Sequence, residues 1–286
     1  MRILDKIQKV RAKLVQAGID ERLDAELLVS ASLEQSRTWL LAHSNDEFNI
    51  KADERLNELV NRRLDREPLP YILGYREFYG LDFIVTPDVL IPRPETELLV
   101  ETVLKWSQDK VNVDILEIGT GSGCIGITLA VMNPTLRVVA TDRSEKALSI
   151  AKKNFDLQAD KIGDRLSLLH ANWLEPFQDT SVDVVVANLP YVALTESSIL
   201  PEEVRRWEPS MALYADDEGL AAFEIVIPEA KRVLKPSGLI ALEVGYTQSD
   251  RVNDLLVNSG FMEIQIVNDL AGIPRVVWGN APPSSN

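Results

Sequence analysis

Asp114-Ile115-Leu116-Glu117-Ile118-Gly119-Thr120-Gly121-Ser122-Gly123-Cys124-Ile125-Gly126 decides the fold of this chain. Apolar residues lead straight into three alternating glycines, and from Ile125 they recur at Ile127, Leu129 and Val131. That order reads as a strand, a tight glycine turn and a helix. Glycines suit such a turn because the backbone can take positive φ there and no Cβ stands between main-chain N–H groups and a ligand. A nucleotide-binding turn follows.

Two nucleotide classes fit it. Gly121, Gly123 and Gly126 satisfy G-x-G-x-x-G, the dinucleotide fingerprint, with Asp142 about twenty residues on as a ribose ligand. Two features pull away from that match: Glu117 stands before the first glycine, and Asn188-Leu189-Pro190-Tyr191 closes a later strand. Together they resemble S-adenosylmethionine-dependent methyltransferases that carry an Asp/Asn-Pro-Pro-Tyr type sequence. A fortuitous turn in a plain α/β domain is the bland alternative.

Outward from the turn, strands and helices alternate. Val138 to Thr141 is a short strand ending at Asp142, and Ser144 caps the next helix. An acid at the carboxyl edge of a strand faces the same crevice as the glycine turn, where its two oxygens can accept both ribose hydroxyls. Leu166 to Leu169 reads as a third strand, and Trp173 beyond it either walls an adenine or packs in the core. Val182 to Ala187 is the clearest strand and delivers Asn188 to the crevice. Gly238 to Val244 makes a fifth strand after a helix that Pro228 should kink. A helix from Val252 to Val257 and strands at Ile264 to Val267 and Val276 to Trp278 close the domain.

Before the turn, Ile3, Ile7, Val10 and Leu14 recur at helical spacing up to Gly18, and Leu23 to Leu33, Trp39-Leu40 and Ala52 to Arg66 continue the signal. Residues 1–70 are expected to form a small helical bundle, with Arg62, Arg63 and Arg66 as solvated charges or a partner-binding patch. Tyr71 to Val85, aromatic and β-branched around Gly80, reads as a β-hairpin linker within 71–90. Ile91-Pro92-Arg93-Pro94-Glu95-Thr96-Glu97 is a stiff connector opening a helix that runs to Trp106, and is well placed to roof the cofactor pocket. The α/β domain spans 91–280, and the tail 281–286 is expected to be disordered.

The chain has 286 residues and a formal net charge of −14. An acidic chain repels phosphate backbones, which disfavours direct nucleic-acid binding. The one cysteine, Cys124, fits a reducing compartment and a small buried residue better than a nucleophile. No apolar run reaches the ~18 residues a membrane span needs, so a cytoplasmic protein without membrane association is expected. His43 and His170 have no neighbours at metal-ligand spacing, and no metal is expected.

Asn188 to Tyr191 carries the chemistry. An amide nitrogen is a poor nucleophile because its lone pair is delocalised, so orientation is the protein's task. The side-chain oxygen of Asn188 and the carbonyl of Leu189 can each accept one N–H of an NH₂ group, turning its lone pair toward a methyl donor. Pro190 stiffens the turn, Tyr191 can pack on the planar group, and acceptors placed where positive charge develops stabilise the transition state. Strand-to-loop turns also use Asn and Pro.

Over almost the whole chain the sequence resembles the HemK or PrmC family, the protein-glutamine N5-methyltransferases of peptide chain release factors. Leu23-Asp24-Ala25-Glu26-Leu27-Leu28, Tyr71-Ile72-Leu73-Gly74, Ile91 to Glu97, the glycine turn, Asn188 to Tyr191 and Asp269-Leu270-Ala271-Gly272 carry the likeness. Pro92 to Glu97 is the most specific and favours the release-factor enzymes over the related ribosomal-protein methyltransferases. The resemblance implies a seven-stranded, Rossmann-like, S-adenosylmethionine-dependent methyltransferase domain after a helical domain that helps engage the release factor. It implies that Gly119, Thr120, Gly121, Ser122, Gly123, Asp142, Trp173 and Asn188 contact S-adenosylmethionine. Asn188, Leu189, Pro190 and Tyr191 would hold the glutamine, with Asn188, Pro190 and Tyr191 catalytic. The expected partner is a class-1 release factor, and a monomer is expected. The family usually has Pro where Leu189 stands, so the carbonyl survives while some loop rigidity is lost. A DNA amino-methyltransferase would need a basic surface, a dehydrogenase would leave Asn188 to Tyr191 idle, and a non-catalytic sensor shares the motifs.

Overall fold

The computed structural model describes residues 1–19, 22–216 and 218–284. They form two units. Met1–Gly74 with Pro201–Trp207 make the first, and Tyr75–Leu200 with the chain from Glu208 onward make the second.

Helices Ile3–Gln16, Arg22–Leu33, Arg37–Ala42 and Asp53–Leu64 build the first unit. The stripe Ile3, Ile7, Val10, Leu14 meets Leu28, Leu40, Leu56 and Leu59 in one buried cluster, as an apolar face repeating every three to four residues requires. Each of the three arginines has partners within the unit, and one of them is buried. Arg63 is buried, donating to Asp24 at 2.6 Å, Glu203 at 2.7 Å and the Glu67 carbonyl at 3.1 Å. Arg62 forks onto Glu67 at 2.8 and 2.6 Å, and Arg66 donates to the Ala17 carbonyl at 2.7 Å. A guanidinium presents five donors in a fixed fork, which lets each fasten several segments at once.

The expected strand from Tyr71 is corrected. Leu69–Leu73 is a short helix, with Pro70 in its first turn and Gly74 closing it at φ 84°. The hairpin begins later, with β1 (Tyr75–Phe78) and β2 (Leu81–Ile84) joined by Tyr79 and Gly80, both at positive φ, as a two-residue hairpin turn demands. It falls in the second unit.

The second unit is an α/β fold on a seven-stranded sheet of β3 (Val113–Ile118), β4 (Leu136–Asp142), β5 (Leu166–His170), β6 (Val182–Ala187), β7 (Leu234–Glu243), β8 (Met262–Asn268) and β9 (Pro274–Asn280). Their order is β5-β4-β3-β6-β7-β9-β8, parallel from β5 through β7, with β9 antiparallel to both its neighbours. Side chains alternate between two cores: Ile115, Val184, Val186, Leu239 and Ala241 enter one, and Leu116, Val185, Ala187, Ile240 and Leu242 the other. Burial on both faces explains why these strands read as unbroken apolar runs.

Pro228 lies inside helix Ala221–Val233 without ending it. The expected disordered tail is corrected at its start. Ala281 is buried and donates to the Gly238 carbonyl at 2.7 Å, so the chain stays paired one step beyond β9. Ser285 and Asn286 lie outside the described residues. No described helix is long and apolar enough to cross a membrane.

Candidate functional site

Strand order reverses about β3 and β6, and ligands of open α/β sheets bind in the crevice at such a switch. Ile118 pairs with Ala187, so the next residues, Gly119 and Asn188, leave the sheet side by side. A Cβ on Gly119 would lie 3.9 Å from the Asn188 carbonyl oxygen.

The turn is braced by two carboxylates. Asp142 accepts from the Gly121 N–H and the Ser144 N–H, one on each oxygen, both at 2.9 Å. Each oxygen keeps a further lone pair for a ligand hydroxyl. Glu117 is buried, and one oxygen accepts from the Thr120 hydroxyl at 2.8 Å and the Gly126 N–H at 3.1 Å. Its other oxygen has no hydrogen-bond partner. Burial pushes its pKa up to about 7 against those two hydrogen bonds. Gly126 therefore makes room for a carboxylate, since a Cβ there would stand 2.3 Å from Glu117 Oε2.

An open cavity sits over this turn. Gly119, Thr120, Gly121, Ser122, Asp142, Trp173, Asn188, Leu189 and Pro190 all line it, with Pro92, Arg93 and Thr96 from the stiff connector. The space a side chain would take at Gly121 is open, which suits close approach of a ligand to the backbone. Trp173 also packs on the second core, and the Arg143 guanidinium lies 6.0 Å from its ring centre.

Gly123 and Tyr191 stand outside the lining. Gly123 starts helix Cys124–Met132, where a Cβ would meet Ile127 at 2.7 Å. Tyr191 is anchored away from the cavity: its hydroxyl donates to Glu243 Oε1 at 3.4 Å, and its carbonyl accepts from Gln248 at 2.9 Å. Burial, then the Glu243 charge, holds its phenol above the ordinary value. Cys124 is pushed up to about 12, first by burial and then by Glu117, which leaves the thiol inert.

Asn188 donates its amide N–H to the Thr96 hydroxyl at 3.3 Å. With nitrogen so engaged, Oδ1 is the acceptor it can offer the cavity. Glu243 is buried at the carboxyl end of β7, with Oε2 lacking a formed hydrogen bond. Thr96 lies in the connector expected to roof the pocket, whereas Glu243 and Glu208 give no such signal in the sequence. An acid ending a strand was the signal used for Asp142, but Glu243 is enclosed by Leu242 and Val244 and reads as part of an apolar run. Glu208 accepts from the Ile91 N–H at 3.2 Å and from Arg93, tying the connector down. Among the described residues no cluster of His, Cys, Asp and Glu could hold a metal.

Residues 5–74 match the family profile described as the PrmC N-terminal domain, and residues 109–265 match a methyltransferase domain. The release factor glutamine methyltransferase of Bordetella pertussis is 41% identical over 90% of this chain and 94% of its own length. That of Koribacter versatilis is 39% identical over 92% of each chain. The chain also matches a bifunctional methyltransferase of Rickettsia bellii, 36% identical over 93% of this chain, and spans 52% of that protein. Among solved structures, a methyltransferase from Pyrococcus furiosus shares the fold with a TM-score of 0.52 at 16% identity, covering 81% of this chain and 99% of its own. The hMettl16 catalytic domain does so at 0.57 and 17%, covering 80% and 84%.

Proposed function

Because the chain belongs to the release factor glutamine methyltransferase family, we propose that it methylates the side-chain amide nitrogen of the glutamine in the Gly-Gly-Gln motif of a class-1 release factor, using S-adenosylmethionine. The observation that carries this reading is Asn188 beside Gly119 at the sheet's switch point, with its amide nitrogen bound to Thr96 and its oxygen left as acceptor.

S-adenosylmethionine supplies a methyl group already activated on a sulfonium. Gly119 to Ser122 offer it backbone and small side chains, Asp142 offers the ribose a carboxylate, and Trp173 offers the adenine an aromatic face. Asn188 Oδ1 and the Leu189 carbonyl accept the two N–H groups of the glutamine amide, which fixes the nitrogen for in-line attack. Both are acceptors, so they gain strength as positive charge develops on nitrogen. Pro190 limits the loop, and Tyr191 tethers it through Glu243 and Gln248 instead of forming the cavity wall.

A net charge of −14 supports a protein substrate over direct nucleic-acid contact, and the single buried cysteine suits the cytoplasm. The helical unit that matches the PrmC N-terminal domain supplies a second surface for the release factor.

Full-length enzyme, S-adenosylmethionine and release factor should yield one added methyl on the motif glutamine, located by mass spectrometry of the digested factor. A Gln→Ala factor should accept none. Labelling of duplex DNA without labelling of release factor would overturn the assignment, and tighter calorimetric binding of NAD than of S-adenosylmethionine would overturn the cofactor.

A further inference from the structure

We propose that Gln248 is a positioning residue for methyl transfer: its buried side-chain amide grips the Tyr191 carbonyl and thereby holds the loop from Asn188 to Tyr191 with the Asn188 and Leu189 oxygens toward the substrate nitrogen. The proposal rests on the role given above to that loop.

A primary amide has two N–H donors and one carbonyl acceptor, and Gln248 uses both ends. Its nitrogen donates to the Tyr191 carbonyl at 2.9 Å and the Gly219 carbonyl at 3.2 Å, with the Glu218 carbonyl at 3.4 Å, while its oxygen accepts from the Gly245 N–H at 3.0 Å. These partners fix its direction. A flipped amide would turn its oxygen onto carbonyls and its donors onto an N–H. Three loops are joined at this one group: the one leaving β6, the one entering helix Ala221–Val233 and the one leaving β7. Two glycines make the space for it. A Cβ at Gly219 would stand 2.2 Å from the Tyr191 oxygen and 2.6 Å from Gln248 Nε2, and one at Gly245 would stand 2.8 Å from Gln248 Oε1.

The grip falls where the loop needs it. Asn188 is fixed at the loop's start, since Ala187 ends β6 in register with Ile118 and the Asn188 amide donates to Thr96. Pro190 has no N–H by which to be held, and the Leu189 carbonyl is kept for the substrate. Restraint at the far end therefore comes from Tyr191 and Val192. Gln248 takes the Tyr191 carbonyl, and Val192 donates to the Leu213 carbonyl and accepts from the Ala215 N–H, both at 3.0 Å. The Tyr191 phenol meets Glu243 at 3.4 Å, long for a hydroxyl bond, so it steers the main chain less. Release of the Tyr191 carbonyl lets the Leu189–Pro190 peptide turn and swings its oxygen away from the substrate. Gln248 itself stands outside the cavity lining, so it acts through the loop and touches no reacting atom.

Gln248→Glu keeps the shape and loses the NH₂ donors, Gln248→Met removes the polar group, and Gly245→Ala crowds Oε1 without altering Gln248, which keeps the test open where a Gln248 variant fails to fold. Calorimetry should return S-adenosylmethionine affinity within about twofold of wild type at unchanged stoichiometry, while kcat falls by about 10²-fold in both Gln248 variants and by about tenfold in Gly245→Ala. KM for the release factor should change by less than about threefold, since aim is lost and capture is kept. In ¹⁵N-labelled protein the Asn188 side-chain NH₂ signals, assigned by their loss in Asn188→Ala, should shift or broaden in Gln248→Glu. The Trp106 indole signal, held by Asn280 at 3.1 Å, should stay in place and mark the intact fold. Unchanged kcat in Gln248→Glu, a fall in kcat matched by an equal fall in binding stoichiometry, or Asn188 signals unmoved by the substitution would overturn the proposal. The spectra need no release factor, so a protein whose Asn188 signals respond to position 248 yet which methylates no glutamine counts against the substrate and not against Gln248.

Discussion

Gly126 lies directly against Glu117: its N–H donates to Glu117 Oε2 at 3.1 Å, and a Cβ at 126 would stand 2.3 Å from that same oxygen. Ala in a helix is ordinarily favoured over Gly by about 1 kcal/mol. Here the sign reverses. Gly126→Ala should destabilise by about 1 to 3 kcal/mol, the cost of forcing extra volume into a packed site. Urea denaturation checks it, and a stabilised variant would refute the close approach.

Glu117 and Glu243 are each raised from 4.5 to about 7, chiefly by burial. The folded state then holds protons that the unfolded chain releases, so the stabilising contribution is full below about pH 4.5 and is lost as pH rises through about 7. One carboxyl accounts for a loss on the order of 3 kcal/mol over that window. Denaturation midpoints should fall across it in wild type and fall less steeply in Glu117→Gln. Equal slopes would contradict the raised value at Glu117.

Asp142→Ala should weaken S-adenosylmethionine binding by about 1 to 3 kcal/mol, since ribose hydroxyls lose their acceptor and the Gly121 N–H loses its brace. Asp142→Asn keeps one acceptor oxygen and should fall between. Calorimetry on folded variants decides.

Much of this molecule was legible in order of residues. Strands buried on both faces announce themselves as apolar runs, and turns that need glycine advertise it. What escaped was the stretch from Leu194 to Leu213, where a 3-10 segment at Leu194–Ile199 and the short helices Glu202–Trp207 and Ser210–Leu213 are too brief to show a period. Arg63 escaped for another reason: its partners Asp24 and Glu203 lie 39 and 140 positions away, and local pattern carries no trace of such pairing. Asn188, Leu189 and Pro190, singled out by their chemistry, line the cavity, whereas Tyr191 stands outside its lining with its hydroxyl on Glu243.

Leu189→Pro restores the residue the family usually carries, and the carbonyl proposed to hold the substrate is kept. Activity should therefore survive. Leu189 is buried in the second core, however, so removing its side chain should cost about 1 to 3 kcal/mol of stability. Initial rates and melting curves measured together separate the two effects.

Arg63→Met should destabilise by about 3 kcal/mol, because one buried guanidinium is withdrawn from both Asp24 and Glu203. Asp24→Asn in the same background should recover part of the loss. Independent, additive effects in that double-mutant cycle would deny the pairing.

Arg63 also dictates a timetable for synthesis. A ribosome releases it 140 residues ahead of Glu203, yet both belong to the same helical unit. The amino-terminal bundle thus emerges early with a missing wall and receives it, as Pro201–Trp207, only after most of the parallel sheet has been translated. Distant closure of this kind is slow in a folding chain. The bundle's last helix arrives as a late clasp, so its completion reports that the strands up to β6 have already left the exit tunnel.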